Sequence, residues 1–172
     1  MSKLFLALPV RVDAAIHALV KDLVGEPQTR PHLTLMYCGT KISDEDAETI
    51  ALLWKGALVG QFKDVPKVTL LPEFSLFGKE HDVLVLKCKV DAALEDAVNT
   101  ARAVTARCVQ AVPPPDFHFE PHVTLGFGSH ALPDVPADLG GLGEQEAQNI
   151  VLYGDDYSVR GAIQWSDLIQ NE

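Results

Sequence analysis

Apolar and polar positions alternate along this chain with two different periods. Period two marks a strand, and spacing of three to four marks a helix. Lys3–Pro9 is nearly continuous in apolar residues and predicts a strand. Val12, Ala15, Ile16, Leu19, Val20 and Leu23 fall at helical spacing and predict a helix over Arg11–Val24, with Asp13 near its start and Gly25 and Pro27 past its end. A strand over about 31–38 follows, closed by Gly39. Ser43 then opens a second helix as its N-cap, with Asp46 at the third helical position, running to about Val59. Residues 65–77 and 82–90 read as two strands joined at the turn Gly78-Lys79-Glu80-His81. Asp91 to about Val109 returns to helical spacing and is stopped by Pro113-Pro114-Pro115. A strand through His122, a Gly/Pro/Asp-rich loop over about 128–145, and strands at 148–154 and 158–165 complete the chain. The order β-α-β-α-β-β-α-β-β-β predicts the α+β class, with helices packed on one side of the sheet.

Two of these strands carry nearly the same phrase. Residues 31–35 read Pro-His-Leu-Thr-Leu, and residues 121–125 read Pro-His-Val-Thr-Leu. Strand residues two apart share a face, so His32 lies beside Thr34, and His122 beside Thr124. In the first strand Pro31, Leu33, Leu35 and Tyr37 form the apolar face, opposite Arg30, His32, Thr34, Met36 and Cys38. In the second, Phe117, Phe119, Pro121, Val123, Leu125 and Phe127 are apolar, opposite His118, Glu120, His122, Thr124, Gly126 and Gly128. Arg30 thus stands where Glu120 stands in the other copy.

The chemistry of such a pair is specific. Histidine titrates near neutrality, so one imidazole can be neutral while another is protonated. Phosphodiester cleavage needs a base for the nucleophile and an acid for the leaving oxygen. Threonine hydroxyls can donate to the non-bridging oxygens. One His-x-Thr is most simply structural, a half-buried strand of ordinary composition. Its repetition in matching contexts favours a shared cleft in which His32 and His122 are catalytic, with Thr34 and Thr124 on the phosphate.

These two motifs, His32-Leu-Thr34-Leu and His122-Val-Thr124-Leu, resemble the hallmark of the two-histidine (2H) phosphoesterases, which include the LigT-like RNA cyclic phosphodiesterases. The resemblance covers most of the chain. It implies a bilobal α+β fold, with two pseudo-symmetric antiparallel sheet lobes around a central cleft and helices outside. It implies metal-independent hydrolysis of nucleotide phosphodiesters, often 2',3'-cyclic phosphates. It assigns catalysis to His32 and His122 and phosphate contacts to Thr34 and Thr124, and leaves open which histidine is acid and which is base. Arg30 is a candidate substrate contact through a ligand phosphate, with a surface salt bridge as the alternative.

Bulk properties narrow the partners. With 172 residues, 47% hydrophobic and 22% charged, the chain fits a single domain over residues 1–172. Its net charge of −10 suits a small nucleotide or short oligonucleotide and disfavours long duplex nucleic acid and anionic membranes. The apolar run Leu4–Val10 is too short for a secretory signal, and no stretch approaches the roughly 18–20 apolar residues of a membrane span. Cys38, Cys88 and Cys108 form no Cys-x-x-Cys pair and read as buried free thiols of a reducing, cytoplasmic protein. A monomer without cofactor is expected. His118, Glu120 and His122 share a strand face, but no further ligands accompany them, so no metal site is assigned. Gly140-Gly141-Leu142-Gly143 neither follows a strand nor opens a helix and is not read as a phosphate loop. Trp54 is expected in the core and Trp165 at the end of the last strand. The acidic helix start at Asp44, Glu45, Asp46 and Glu48 is expected in solvent, and His17, His81 and His130 receive no role. Two rival readings are an RNA-end repair enzyme acting on longer RNA and a nucleotide-binding module without turnover.

Overall fold

The computed structural model describes residues 1–115 and 118–169. The strands are β1 (Ser2–Pro9), β2 (Glu26–Pro27), β3 (His32–Ile42), β4 (Lys67–Phe77), β5 (Val83–Val90), β6 (His122–Phe127), β7 (Gly143–Glu146), β8 (Ile150–Tyr153) and β9 (Val159–Ile163). The helices are α1 (Ala14–Val20), α2 (Asp44–Leu58), α3 (Ala92–Cys108) and α4 (Trp165–Leu168). Eight strands form one path, β7-β4-β5-β6-β3-β1-β8-β9, and β2 pairs with β6. The described pairings are antiparallel.

Four strands lie on each side of the β6–β3 junction, where Leu33 faces Val123. Each is the residue after a motif histidine, so the pseudo-twofold axis passes between the two motifs. The correspondence extends outward. Pro9 pairs with His32 and Lys87 with His122. The Val10 N–H donates to Pro31 O at 3.1 Å, and the Cys88 N–H to Pro121 O at 3.0 Å. The sheet and its helices are the bilobal α+β architecture that the motifs implied.

A β-bulge follows each threonine. Ala7 faces Thr34 while Leu6 faces Met36, which leaves Leu35 as an extra residue. Val85 faces Thr124 while Leu84 faces Gly126, which leaves Leu125 extra. One extra residue reverses the alternation beyond it. Tyr37 and Phe127, expected on the core face, are therefore 50% and 41% exposed, whereas Met36 and Cys38 turn inward. Gly126 is also buried. Phe117 lies outside the described residues.

The first helix is shorter than its apolar periodicity predicted. The Asp13 carboxylate caps it by accepting the Ala15 N–H at 2.8 Å, and the chain leaves the helix at Lys21 so that β2 can reach β6. The Ser43 hydroxyl caps α2 through the Asp46 N–H, as its sequence predicted. Helices α2 and α3 pack on each other and bury Ile50, Trp54, Leu94 and Val98. Part of the loop assigned to 128–145 is strand β7, which pairs with β4. Trp165 begins α4 instead of ending β9. It packs edge-on against Phe62, and its indole N–H donates to Gln148 O at 2.8 Å. Asp44 is not purely solvated: Arg160 reaches it at 3.1 Å while also donating to the carbonyls of Lys3 and Ile42. Cys38 and Cys88 are buried, and burial pushes both thiols up to about 12. Cys108 is exposed at the end of α3, contrary to the expected burial, because the apolar stripe of that helix ends at Thr105. No described helix is long and apolar enough to cross a membrane.

Candidate functional site

The fold brings His32, Thr34, His122 and Thr124 onto one face of the sheet, two on each side of the pseudo-twofold axis. Both imidazoles are oriented in the same way. The His32 Nδ1–H donates to Arg30 O at 2.8 Å, and the His122 Nδ1–H donates to Glu120 O at 2.8 Å. The acceptor is in each case the residue before the motif proline. Fixing the proton on Nδ1 leaves Nε2 of each ring as the atom free to exchange protons.

The two rings have different surroundings. His32 is packed among Phe5, Tyr157 and Tyr153, with ring centroids at 5.4, 5.6 and 6.3 Å. His122 packs against Phe77 with ring centroids 4.7 Å apart and planes 61° from parallel. Burial lowers the His32 pKa below its ordinary value of 6.5. The hydrogen bond to Arg30 O opposes that shift, and the positive charges of His122 and Lys3 add to it. A neutral His32 is favoured. Tyr153 is shifted upward by burial, against the pull of the Arg30 guanidinium.

Arg30 lies on the His32 side. Its guanidinium sits over the Tyr157 ring at 5.4 Å, and Nη1 donates to Tyr157 O at 3.4 Å. Glu120, its counterpart, is 3.8 Å from Lys87. Tyr157 follows Asp156 in a tight turn where both residues have left-handed backbone, φ 58° and 52°. Such conformations cost about 1–3 kcal/mol each in non-glycine residues and persist only where their surroundings hold them. Gln28 is one of those surroundings. It is 9% exposed, its Nε2 donates to Tyr157 Oη at 2.9 Å, and its Oε1 accepts the Arg30 N–H at 3.1 Å. Its backbone N–H donates to Leu125 O, at the second bulge. One side chain thus ties the first motif to Tyr157, while its backbone holds the second motif.

Phe5, Gln28, Tyr153 and Tyr157 were not singled out from the sequence. Phe5 and Tyr153 belong to strands read only as core, and Gln28 and Tyr157 sit in segments without periodicity. The paired phenols so close to the C-terminal strands were the available signal.

On the other side of the axis a pocket of about 420 Å³ opens beside His122. Thr34, Tyr37, Pro113–Pro115, His118 and Glu120 are among its walls. Among the described residues, no three His, Cys, Asp or Glu side chains are gathered closely enough to hold a metal.

The profile of the 2'-5' RNA ligase superfamily matches residues 8–144, which contain both motifs. The chain belongs to this superfamily, among the 2H phosphoesterases. Solved structures agree with this superfamily fold. Escherichia coli LigT complexed with 3'-AMP is similar with a TM-score of 0.66 and 19% identity, over 91% of this chain and 90% of LigT. The Thermus thermophilus protein TT0787 gives 0.64 and 24%, over 94% and 97%. Kluyveromyces marxianus Usb1 gives 0.56 and 10%, over 95% and 98%. No curated protein sequence matches this superfamily member.

Proposed function

We propose that this 2H phosphoesterase hydrolyses cyclic nucleotide phosphodiesters, either 2',3'-cyclic phosphates or cyclic oligonucleotide messengers. The observation that carries the reading is the matched pair of histidines, each with Nδ1–H tied to the carbonyl two residues earlier and Nε2 left for proton exchange. His32, kept neutral by its burial, is the base. It takes a proton from water as the water oxygen bonds to phosphorus. His122 is the acid and gives its Nε2 proton to the oxygen whose bond to phosphorus breaks. Thr34 and Thr124 donate to the non-bridging oxygens, and Arg30 attracts the phosphate. No step of this chemistry needs a metal. That LigT has been solved with 3'-AMP, ATP and NADP+ supports a nucleotide substrate.

The test is a hydrolysis panel in excess chelator, comparing wild type with His122→Ala. Its substrates are 2',3'-cyclic mononucleotides, cyclic di- and trinucleotides, and a short RNA ending in a cyclic phosphate. Turnover of the small cyclic substrates, lost in the variant, is expected. Turnover of the RNA end alone would favour the repair reading. Tight binding without turnover would favour the binding module.

A further inference from the structure

Each motif side chain is faced by one residue of the next strand outward. On β1, Ala7 faces Thr34 and Pro9 faces His32; on β5, Val85 faces Thr124 and Lys87 faces His122. Directly opposed residues of antiparallel strands share a face, with Cβ atoms about 4.5–5.5 Å apart. Three of these four flanks are apolar, and Lys87 alone among them is charged. The motif strands differ in the opposite sense: Arg30 precedes the first motif, and Glu120 holds that place before the second. Each half therefore brings a cation to its motif, the first from the motif strand itself and the second from the strand beside it. Like charges directly opposed on a sheet destabilise it, so a lysine facing the histidine that serves as acid is a poor choice for the fold alone. Its Nζ is 3.8 Å from Glu120 Oε1, beyond hydrogen-bond range, and the two side chains are 33% and 59% exposed. An ion pair that loose and exposed contributes little and exchanges readily.

We infer that Lys87 is a further substrate contact, which leaves Glu120 when substrate binds and donates to a non-bridging phosphate oxygen from the His122 side. The inference rests on the phosphodiesterase reading and adds a residue to its phosphate site. A chain of net charge −10 repels an anionic substrate as a whole, so cations at the site decide whether the phosphate enters. Arg30 supplies one from the His32 side, and Lys87 supplies its opposite. As water adds to phosphorus, negative charge gathers on the phosphate oxygens, and cations on both sides stabilise it where it develops. The compact ammonium of lysine on a flexible stem suits a partner that comes and goes, as the planar fork of arginine does not. Glu120 then has a use of its own. Hydrolysis turns a singly charged diester into a phosphomonoester of about −1.5 to −2 at pH 7, which two cations would hold more tightly than the substrate. A carboxylate that competes for Lys87 limits that grip and lets product leave.

The experiment measures the Kd of inorganic phosphate at pH 7 and kcat/KM for 2',3'-cyclic AMP, using wild type, Lys87→Met, Lys87→Arg and Glu120→Gln. Methionine keeps an unbranched stem in place of the lysine, and urea midpoints check that each variant is folded. Lys87→Met should weaken phosphate binding about tenfold, the scale of one hydrogen bond between charged groups, and lower kcat/KM at least as much. Lys87→Arg should recover most of both losses. Glu120→Gln should tighten phosphate binding, because Lys87 loses its competing partner while the backbone carbonyl at 120 still accepts the His122 Nδ1–H. A purely structural ion pair predicts the reverse, with Glu120→Gln and Lys87→Met behaving alike. That result, an unchanged phosphate Kd in Lys87→Met, or no measurable phosphate binding by wild type would each overturn the inference, and cyclic AMP turnover would leave the phosphodiesterase reading standing. The expected phosphate shifts without turnover by wild type would overturn that reading and leave the Lys87 phosphate contact in place.

Discussion

The two halves of the sheet share a plan and differ in what surrounds the histidine. Around His32 the space is filled by Phe5, Tyr153 and Tyr157, with Arg30 and Gln28 behind them. Around His122 there is one ring, a carboxylate paired to Lys87, and an open pocket. Backbone geometry is nearly duplicated, down to the bulge after each threonine and the Nδ1 hydrogen bond. Symmetry therefore supplies two equivalent imidazoles, and their neighbours make them unequal. Desolvation favours neutral imidazole on one side, while the other side has room for a departing group. A reaction with a base at one end and an acid at the other needs that inequality.

The strongest way to break this comparison is to remove either ring. His32→Ala and His122→Ala should each lower kcat by about 10²–10⁴ with the fold retained, measured on the best cyclic substrate. If the roles differ as proposed, His32→Ala should also abolish the ascending limb of the pH–rate curve. In wild type that limb should lie below pH 6.5, because the buried base is neutral above its lowered pKa. Its midpoint reports the coupled pair rather than one ring.

A smaller effect sharpens the contrast. Gln28→Ala removes the partner of the Tyr157 hydroxyl and should cut activity by about tenfold, on the scale of one lost buried hydrogen bond. Water reaching His32 should move the ascending limb towards higher pH. A fall in rate with an unmoved limb would mean that Gln28 serves stability alone.

Next comes the junction that closes the first half. A Cβ on Gly126 would lie 2.7 Å from Val24 Cβ and 2.9 Å from Glu26 O. Gly126→Ala should cost about 1–3 kcal/mol by overpacking, read from chemical denaturation, because β2 must move away from β6. Met36, the matching position in the other half, already carries a side chain.

The smallest expected effect is on stability against pH. The folded pKa of His32 lies below its unfolded value of 6.5, so the unfolded chain binds the proton more readily. The resulting stability is present above pH 6.5 and is lost as pH falls through the folded value. Urea midpoints at pH 7 and pH 5 should separate less in His32→Gln than in wild type.

Much of this was legible in the residues because it follows from periodicity. The α2 cap at Ser43, the hairpin of β4 and β5, and the α3 helix all come from local patterns that tertiary contacts merely confirm. The repeated His-x-Thr phrase marked the candidate site because side chains two apart on a strand share a face. Period-two reasoning failed at Tyr37 and Phe127, where a single inserted residue reversed the faces. Nothing in Leu35 or Leu125 distinguishes a bulge from an ordinary strand position, since the register is set by the partner strand. Gln28 and Tyr157 were invisible for another reason. They meet across 129 residues of sequence, and their value lies in a hydrogen bond that no local pattern encodes.

The left-handed turn at Asp156–Tyr157 bears on how this protein would respond to selection. Glycine adopts that backbone freely, so a screen for heat resistance alone would reward its appearance at position 156. At 157 the same change would delete the ring packed against His32 and leave the buried Gln28 amide without its partner. Relief of the turn and integrity of the site are therefore separable at one codon and bound together at the next.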